Sequence, residues 1–307
     1  MNSLSTYIEN YLNESIFDDE DVLSGPERDK LIIENWIKEN YTLTGRLKIN
    51  KDFTVNYSGT VKVKNKNITS LTNGLFCWGK VKRFNCSFCE NLTSLEGAPK
   101  EIKEEFNCAW CDKLESLEGV PEKIVGVFDC SKCKSLKSLI NGPKIVDGNF
   151  YCNGCENLKT LEGAPGVVGK YHGFDCSDCN NLVSLEGAPK EVDGSFKCFG
   201  CGKLKNLKGS PKEVGSFDCS GCSRLTSLEG APEKVSHDFN CSYCDNLINL
   251  KGSPREVGYL NCRWCVKLES LEGGPEVRNS VKCGYCPNLK ITDEDRVKYE
   301  TIYLGGV

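Results

Sequence analysis

Cysteine is the residue whose abundance and spacing could do chemistry in this 307-residue chain. There are 21, and all but Cys77 fall into pairs three apart: 86/89, 108/111, 130/133, 152/155, 176/179, 198/201, 219/222, 241/244, 262/265 and 283/286. Such pairs supply thiolates to zinc or iron and dithiols to redox centres. Cys86, Cys89, Cys108 and Cys111 make C-x2-C-x18-C-x2-C, within the spacing of a four-cysteine zinc site. A disulfide inside a pair meets a geometric objection, because extended residues i and i+3 lie about 9 to 10 Å apart and a bridge needs Cα atoms within about 7 Å. The odd count, and an N-terminus (MNSLSTYIENYLNES) with neither a basic start nor an apolar run, point to a reducing cytoplasm rather than a secreted disulfide scaffold.

Catalysis has little other material. The two histidines, His172 and His237, pair with no nucleophile in any known motif, and read as loop residues near inter-coil turns. Glu96, Glu118, Glu162, Glu186, Glu229 and Glu272 recur in one slot that also holds Lys208 and Lys251, which suits a solvated edge better than an acid–base pair. No P-loop, dinucleotide fingerprint or histidine metal motif occurs. The net charge is −4, and six carboxylates without a Lys or Arg sit in residues 1–22, leaving the remainder near +2. No basic face for nucleic acid is advertised, and no run of eighteen apolar residues could span a membrane. The expectation is a non-catalytic, monomeric chain with no cofactor and no metal.

The elements that must position the cysteines follow from their period. Successive pairs begin 21 to 24 residues apart, and each unit reads F-x-C-x-x-C-x-x-L-x-x-L-x-G-x-P followed by x-x-V. Phe174 and Cys176, two apart, share one face of a strand. Cys179, Leu182 and Leu185 then follow at intervals of three, and all can face inward only if the backbone coils. A chain that turns every few residues and repeats this way is a solenoid, with each coil covering its neighbour's apolar face. At about 4.8 Å per coil, ten coils span roughly 50 Å. Gly stands two before Pro at 97, 119, 163, 187, 209, 230, 252 and 273, with Asn141 the exception, so this corner is expected to be left-handed.

The run F-x-C-S-x-C-x-x-L-x-S-L, as FNCSFCENLTSL at 84–95 and FDCSGCSRLTSL at 217–228, resembles the leucine-rich repeat in its cysteine-bearing form. The short Pro-containing remainder is similar to the BspA-like bacterial subclass, and the wording SLEGAPKEV (184–192) resembles repeat proteins encoded by tailed bacteriophages. Phe at the first apolar site and Cys at the second depart from the family pattern. The resemblance implies a curved solenoid whose concave strand face binds a protein. It also puts Cys179 where the family carries Asn or Cys, so its thiol is expected to donate to a neighbouring backbone carbonyl. Both cysteines of each pair then fall on buried positions. The opening coil replaces the first with Val63, an apolar non-ligand, so packing explains the series better than coordination does.

The fold expected is therefore mainly β, a leucine-rich-repeat solenoid of ten to eleven coils over 61–290. A helical and β cap is expected at 23–60, with Leu31, Ile32, Trp36 and Ile37 at helical spacing behind Ser24, Pro26 and Glu27 in a capping arrangement. Residues 291–307 should close the last coil by a short turn and a strand at Thr301–Leu304. An amphipathic acidic leader occupies 1–22, and its Leu12-Asn13-Glu14 faintly resembles a phage-head processing site. Two rows are candidates for binding. One is the polar stripe after the Phe, including Asp175, Asp218, Asn240 and Asn261. The other is the slot before the second cysteine, where Tyr243, Trp264 and Tyr285 form a column beside Arg263, echoed by Phe88 and Trp110. A protein partner is the expectation. A metal- or redox-active cysteine array and a structural or packaged phage component are the alternatives.

Overall fold

The computed structural model describes residues 25–305, so the leader and Ser24 lie outside the described residues. What they show is a β-solenoid of about 11 turns. The strands pair in parallel and in register, so each coil sets its residues on their own counterparts. Phe84 pairs with Phe106, Phe106 with Phe128, Phe174 with Phe196 and Phe217 with Phe239. The phenylalanine rings form an internal column, with centroids 5.0 Å apart at Phe150–Phe174 and 5.8 Å at Phe217–Phe239. These separations suit offset aromatic contact.

Between strands the chain coils as the three-residue spacing requires. The amide of Leu182 donates to the Cys179 carbonyl at 2.9 Å, and that of Ala188 to the Leu185 carbonyl at 3.0 Å, so two successive tight turns follow each strand. Phe174, Cys176, Cys179, Leu182 and Leu185 are all completely buried, and Val192 nearly so. The exposed faces are stitched from coil to coil by ion pairs such as Lys208–Glu229 (3.1 Å) and Lys251–Glu272 (2.8 Å). The acidic row and its two lysines are thus a solvated edge, where each pair contributes little.

The corner glycines are left-handed as expected, with φ of 92° at Gly187, and Asn141 adopts the same region at 66°. The corner also has a second, independent need for glycine. The Leu161 amide donates to the Glu186 carbonyl at 3.3 Å, which draws the corner onto the coil below. A Cβ on Gly187 would lie 2.5 Å from the Glu162 amide nitrogen and 2.6 Å from the Leu161 carbonyl carbon.

Both ends are closed by different chemistry. Helix α1 (Pro26–Asn40) buries Ile32, Ile33 and Ile37, while Leu31 and Trp36 are half-buried. Its N-cap is Gly25, which offers no side-chain cap. Strands β1 (Tyr41–Leu43) and β2 (Leu47–Ile49) pair antiparallel with β3 (Thr54–Val63). β3 then starts the solenoid, with Val61 opposite Phe84 and Val63 fully buried. At the far end, where only a short turn was expected, helix α2 (Asp293–Lys298) forms behind a reciprocal Thr292–Asp295 capping box. Ile302–Tyr303 adds the last parallel strand.

Gly166 supplies a control for the corner, since a Cβ there would meet nothing within 4 Å. Gly187→Ala is expected to destabilise by about 2 kcal/mol or more, from positive φ and backbone overlap together, whereas Gly166→Ala stays within about 1 kcal/mol of wild type. Urea melts of the two variants check this, and equal midpoints would refute the corner assignment.

Candidate functional site

The sulfurs form a ladder inside the solenoid. In the central coil the Cys176 amide donates to the Lys197 carbonyl and the Asp178 amide to the Phe199 carbonyl, both at 2.8 Å, so the strand ladder runs on into the turn. The carbonyl of the cysteine between them is met by a thiol instead. Cys201 Sγ donates to the Cys176 carbonyl at 3.3 Å, and Cys179 Sγ likewise to the Cys152 carbonyl of the preceding coil at 3.3 Å. The same bond recurs nine times, from Cys111→Cys86 to Cys286→Cys262, at 3.1 to 3.4 Å. The thiol thus satisfies a buried acceptor at each step, as expected for Cys179.

Burial shapes the acidity of these groups. Desolvation pushes the thiols of Cys152, Cys176, Cys201 and Cys241 well above their ordinary range, and that of Cys179 up to about 12. Thiolates, the species that bind metal or attack disulfides, are disfavoured there. Among the described residues, no group of three or more His, Cys, Asp or Glu could hold a metal ion. All 21 cysteines are free thiols, and only Cys77 is exposed.

The slot before the second cysteine holds what sequence reasoning missed. Its backbone is left-handed in every coil: φ is 61° at Phe88, 60° at Trp110, 59° at Lys132, 66° at Gly154, 55° at Asp178, 69° at Gly200, 66° at Gly221, 57° at Tyr243, 60° at Trp264 and 61° at Tyr285. The three glycines were the available signal, but in sequence they read as small residues rather than as a demand for positive φ. Five aromatics stand where glycine would be unstrained. Their rings stack along the solenoid: Tyr243–Trp264 at 5.9 Å and 6°, Trp264–Tyr285 at 3.9 Å and 10°, Phe88–Trp110 at 5.7 Å and 9°. All five are solvent-exposed, Trp264 least at 38%.

The polar stripe is committed to local structure. Asp218 Oδ1 accepts from the Ser220 amide and hydroxyl at 2.9 and 2.7 Å, and Asn240 Oδ1 from those of Ser242 at 3.2 and 2.7 Å. Asp175 holds Ser177 in the same way, and Asn261 accepts from the Arg263 amide at 3.3 Å. These Asx turns bend the chain out of the strand and explain why Asn and Asp recur there. Asp218, Asn240 and Asn261 do line one groove of the strand face, with Lys197, Tyr259 and Lys282, whereas Asp175 lies outside that lining. Trp264 and Tyr285 instead line an apolar hollow at the C-terminal end, with Val266, Leu289, Ile291 and Leu304. The groove and the hollow share no residue. The Arg263 backbone joins the two rows, its amide bonded to Asn261 and its carbonyl to the Tyr243 amide at 2.9 Å. His237 is exposed and His172 half-buried.

No family model matches the chain, and neither a curated protein nor a solved structure does. What stands on the geometry alone is a repeat solenoid with regularly spaced cysteines. No helix among the described residues is long and apolar enough to cross a membrane.

The thiol ladder has a pH signature. A thiol whose folded pKa is raised stabilises the fold fully below its unfolded value, about 8.5, and that stability is lost as pH climbs toward the folded value, about 12 for Cys179. Each such thiol withdraws up to about 1.4 kcal/mol per pH unit, so about ten of them outweigh the stability of an ordinary domain within one unit. Circular dichroism is expected to show cooperative unfolding between about pH 9 and 11 without denaturant. A native spectrum persisting at pH 11 would contradict the neutral-thiol ladder.

Proposed function

We propose that the chain is a non-catalytic recognition solenoid of the leucine-rich-repeat type, with Tyr243, Trp264 and Tyr285 anchoring a protein partner beside Arg263. The supporting observation is the left-handed slot. A side chain there costs about 1–2 kcal/mol of backbone strain, and the fold accepts glycine at Gly154, Gly200 and Gly221. Folding therefore does not ask for aromatics in three consecutive coils, and strained, exposed rings are what a binding site asks for. The Asx stripe, by contrast, is accounted for by its turns. In this proposal the chain works in the cytoplasm of an infected bacterium, as the similarity of its repeat wording to phage-encoded repeat proteins implies.

The same strain supplies the test. Trp264→Gly relieves the positive φ while losing ring stacking and adding chain entropy, and these offset to within about 1 kcal/mol. The melting temperature is expected to hold, while affinity for a partner recovered from the native host falls about 30-fold, the effect of a 2 kcal/mol hot spot. A variant that binds the recovered partner as wild type does would sink the proposal.

A further inference from the structure

The slot column contains one vacancy. Starting from the N-terminal end, Phe88 and Trp110 stack, and the Lys132 ammonium lies 6.0 Å from the Trp110 ring centre. The Lys132 side chain runs on over Gly154, occupying the place a Cβ there would take. Asp178 leans over Gly200 in the same way, with its Oδ1 in the place of that Cβ. Gly221 alone is uncovered: a Cβ there would meet nothing closer than the Gly200 backbone at 3.7 Å. Beyond it stands Tyr243, one ring face stacked on Trp264 at 5.9 Å and the other turned toward the Gly221 slot. The vacancy thus has a carboxylate at one end and a tyrosine face at the other.

The dimensions select an occupant. Asp178 and Tyr243 are three coils apart, about 14 Å at 4.8 Å per coil, and Asp178 already spans one of those steps. About 10 Å remain for a cationic group that meets the ring face on one side and donates to the carboxylate on the other. A guanidinium standing edge-on in the gap does both: it is permanently charged, its N–H groups diverge within one plane, and it sets one edge against the ring face while donating from another to the carboxylate. The chain's own Lys132 beside Trp110 is an internal precedent for a cation next to a ring of this column.

We propose that the Gly221 slot, between Asp178 and the face of Tyr243, receives an arginine side chain of a protein partner. The proposal rests on the column's anchoring role and names the partner chemistry it reads. Bridging from the Tyr243 face to Asp178 favours arginine over lysine, whose single ammonium nitrogen is too short to meet both, and over citrulline, which is planar but uncharged.

The test uses the full chain and a blocked Gly-Arg-Gly peptide, with its lysine and citrulline counterparts, followed by amide chemical shifts. The arginine peptide is expected to shift Gly200, Gly221 and Tyr243 saturably, and to bind at least tenfold tighter than either counterpart. Gly221→Trp, filling the slot in a conformation that Trp110 and Trp264 already adopt, is expected to abolish the shifts while keeping the melting temperature. Asp178→Asn, with a side chain that also tolerates positive φ, is expected to weaken binding at least fivefold. Three results would each overturn the proposal: no saturable shift at these residues, equal binding of the citrulline peptide, or unchanged binding by Asp178→Asn. If the arginine peptide fails while Trp264→Gly still loses the recovered partner, the column anchors something else and only the arginine slot falls.

Discussion

Where the strands end, the backbone ladder of a solenoid has a gap, and in this protein a thiol fills it. The Cys152 carbonyl sits in the turn between two amide bonds to the next coil, and the Cys179 thiol answers it at 3.3 Å. A buried carbonyl left unpaired at that position would cost about 1–3 kcal/mol in every coil. Cysteine suits the task because it is small and otherwise apolar, so it donates one weak bond without bringing further polar atoms that would need partners. The first cysteine of each pair fills no such gap: where its thiol donates, from Cys176 to the Lys197 carbonyl and from Cys219 to the Asn240 carbonyl, that carbonyl already accepts an amide, and Val63 can replace it in the opening coil, fully buried.

Register then imposes the rest. With coils about 4.8 Å apart, each inward side chain must tile against a copy of itself. Phenylalanines stack into a column, leucines fill behind them, and the corner takes residues that accept positive φ, glycine in most coils and Asn141 in one. The exposed positions tile too, and in one slot charge alternates from Glu186 through Lys208, Glu229 and Lys251 to Glu272, with ion pairs at Lys208–Glu229 and Lys251–Glu272. Only the ends escape. The opening coil leans on α1 and an antiparallel pair, while in the closing coil Cys286 and Leu289 are half-exposed at positions that are fully buried in the central coils.

Inward positions were legible in the sequence because tiling makes them nearly invariant within one chain. Ten copies of the same frame act as their own comparison, which is why the coil and the left-handed Gly187 corner could be read; the donor role of Cys179 followed instead from the resemblance to the leucine-rich repeat. The slot before the second cysteine was not legible. It is variable and exposed, and side chains as large as Trp264 argue against a left-handed backbone unless Gly154, Gly200 and Gly221 are read for φ rather than for size. The Asn/Asp stripe was legible only in part: a polar residue repeated on a strand face resembles a binding surface, and its turn-forming use, with Oδ1 accepting from the amides of Ser177, Ser220, Ser242 and Arg263, shows only in the structure. The Thr292–Asp295 capping box stood in the sequence as T-D-E-D, but without an apolar period behind it to signal a helix.

The central claim is that the cysteines are protonated structural donors, and thiol counting on protein purified without chelator tests it most directly. In the native state only Cys77 is expected to react rapidly with a thiol reagent, with Cys286 slower; in denaturant all 21 are expected to react. Elemental analysis of the same sample is expected to find well under one zinc or iron per chain. Several tightly held metals per chain, or a denatured count far short of 21, would contradict the account.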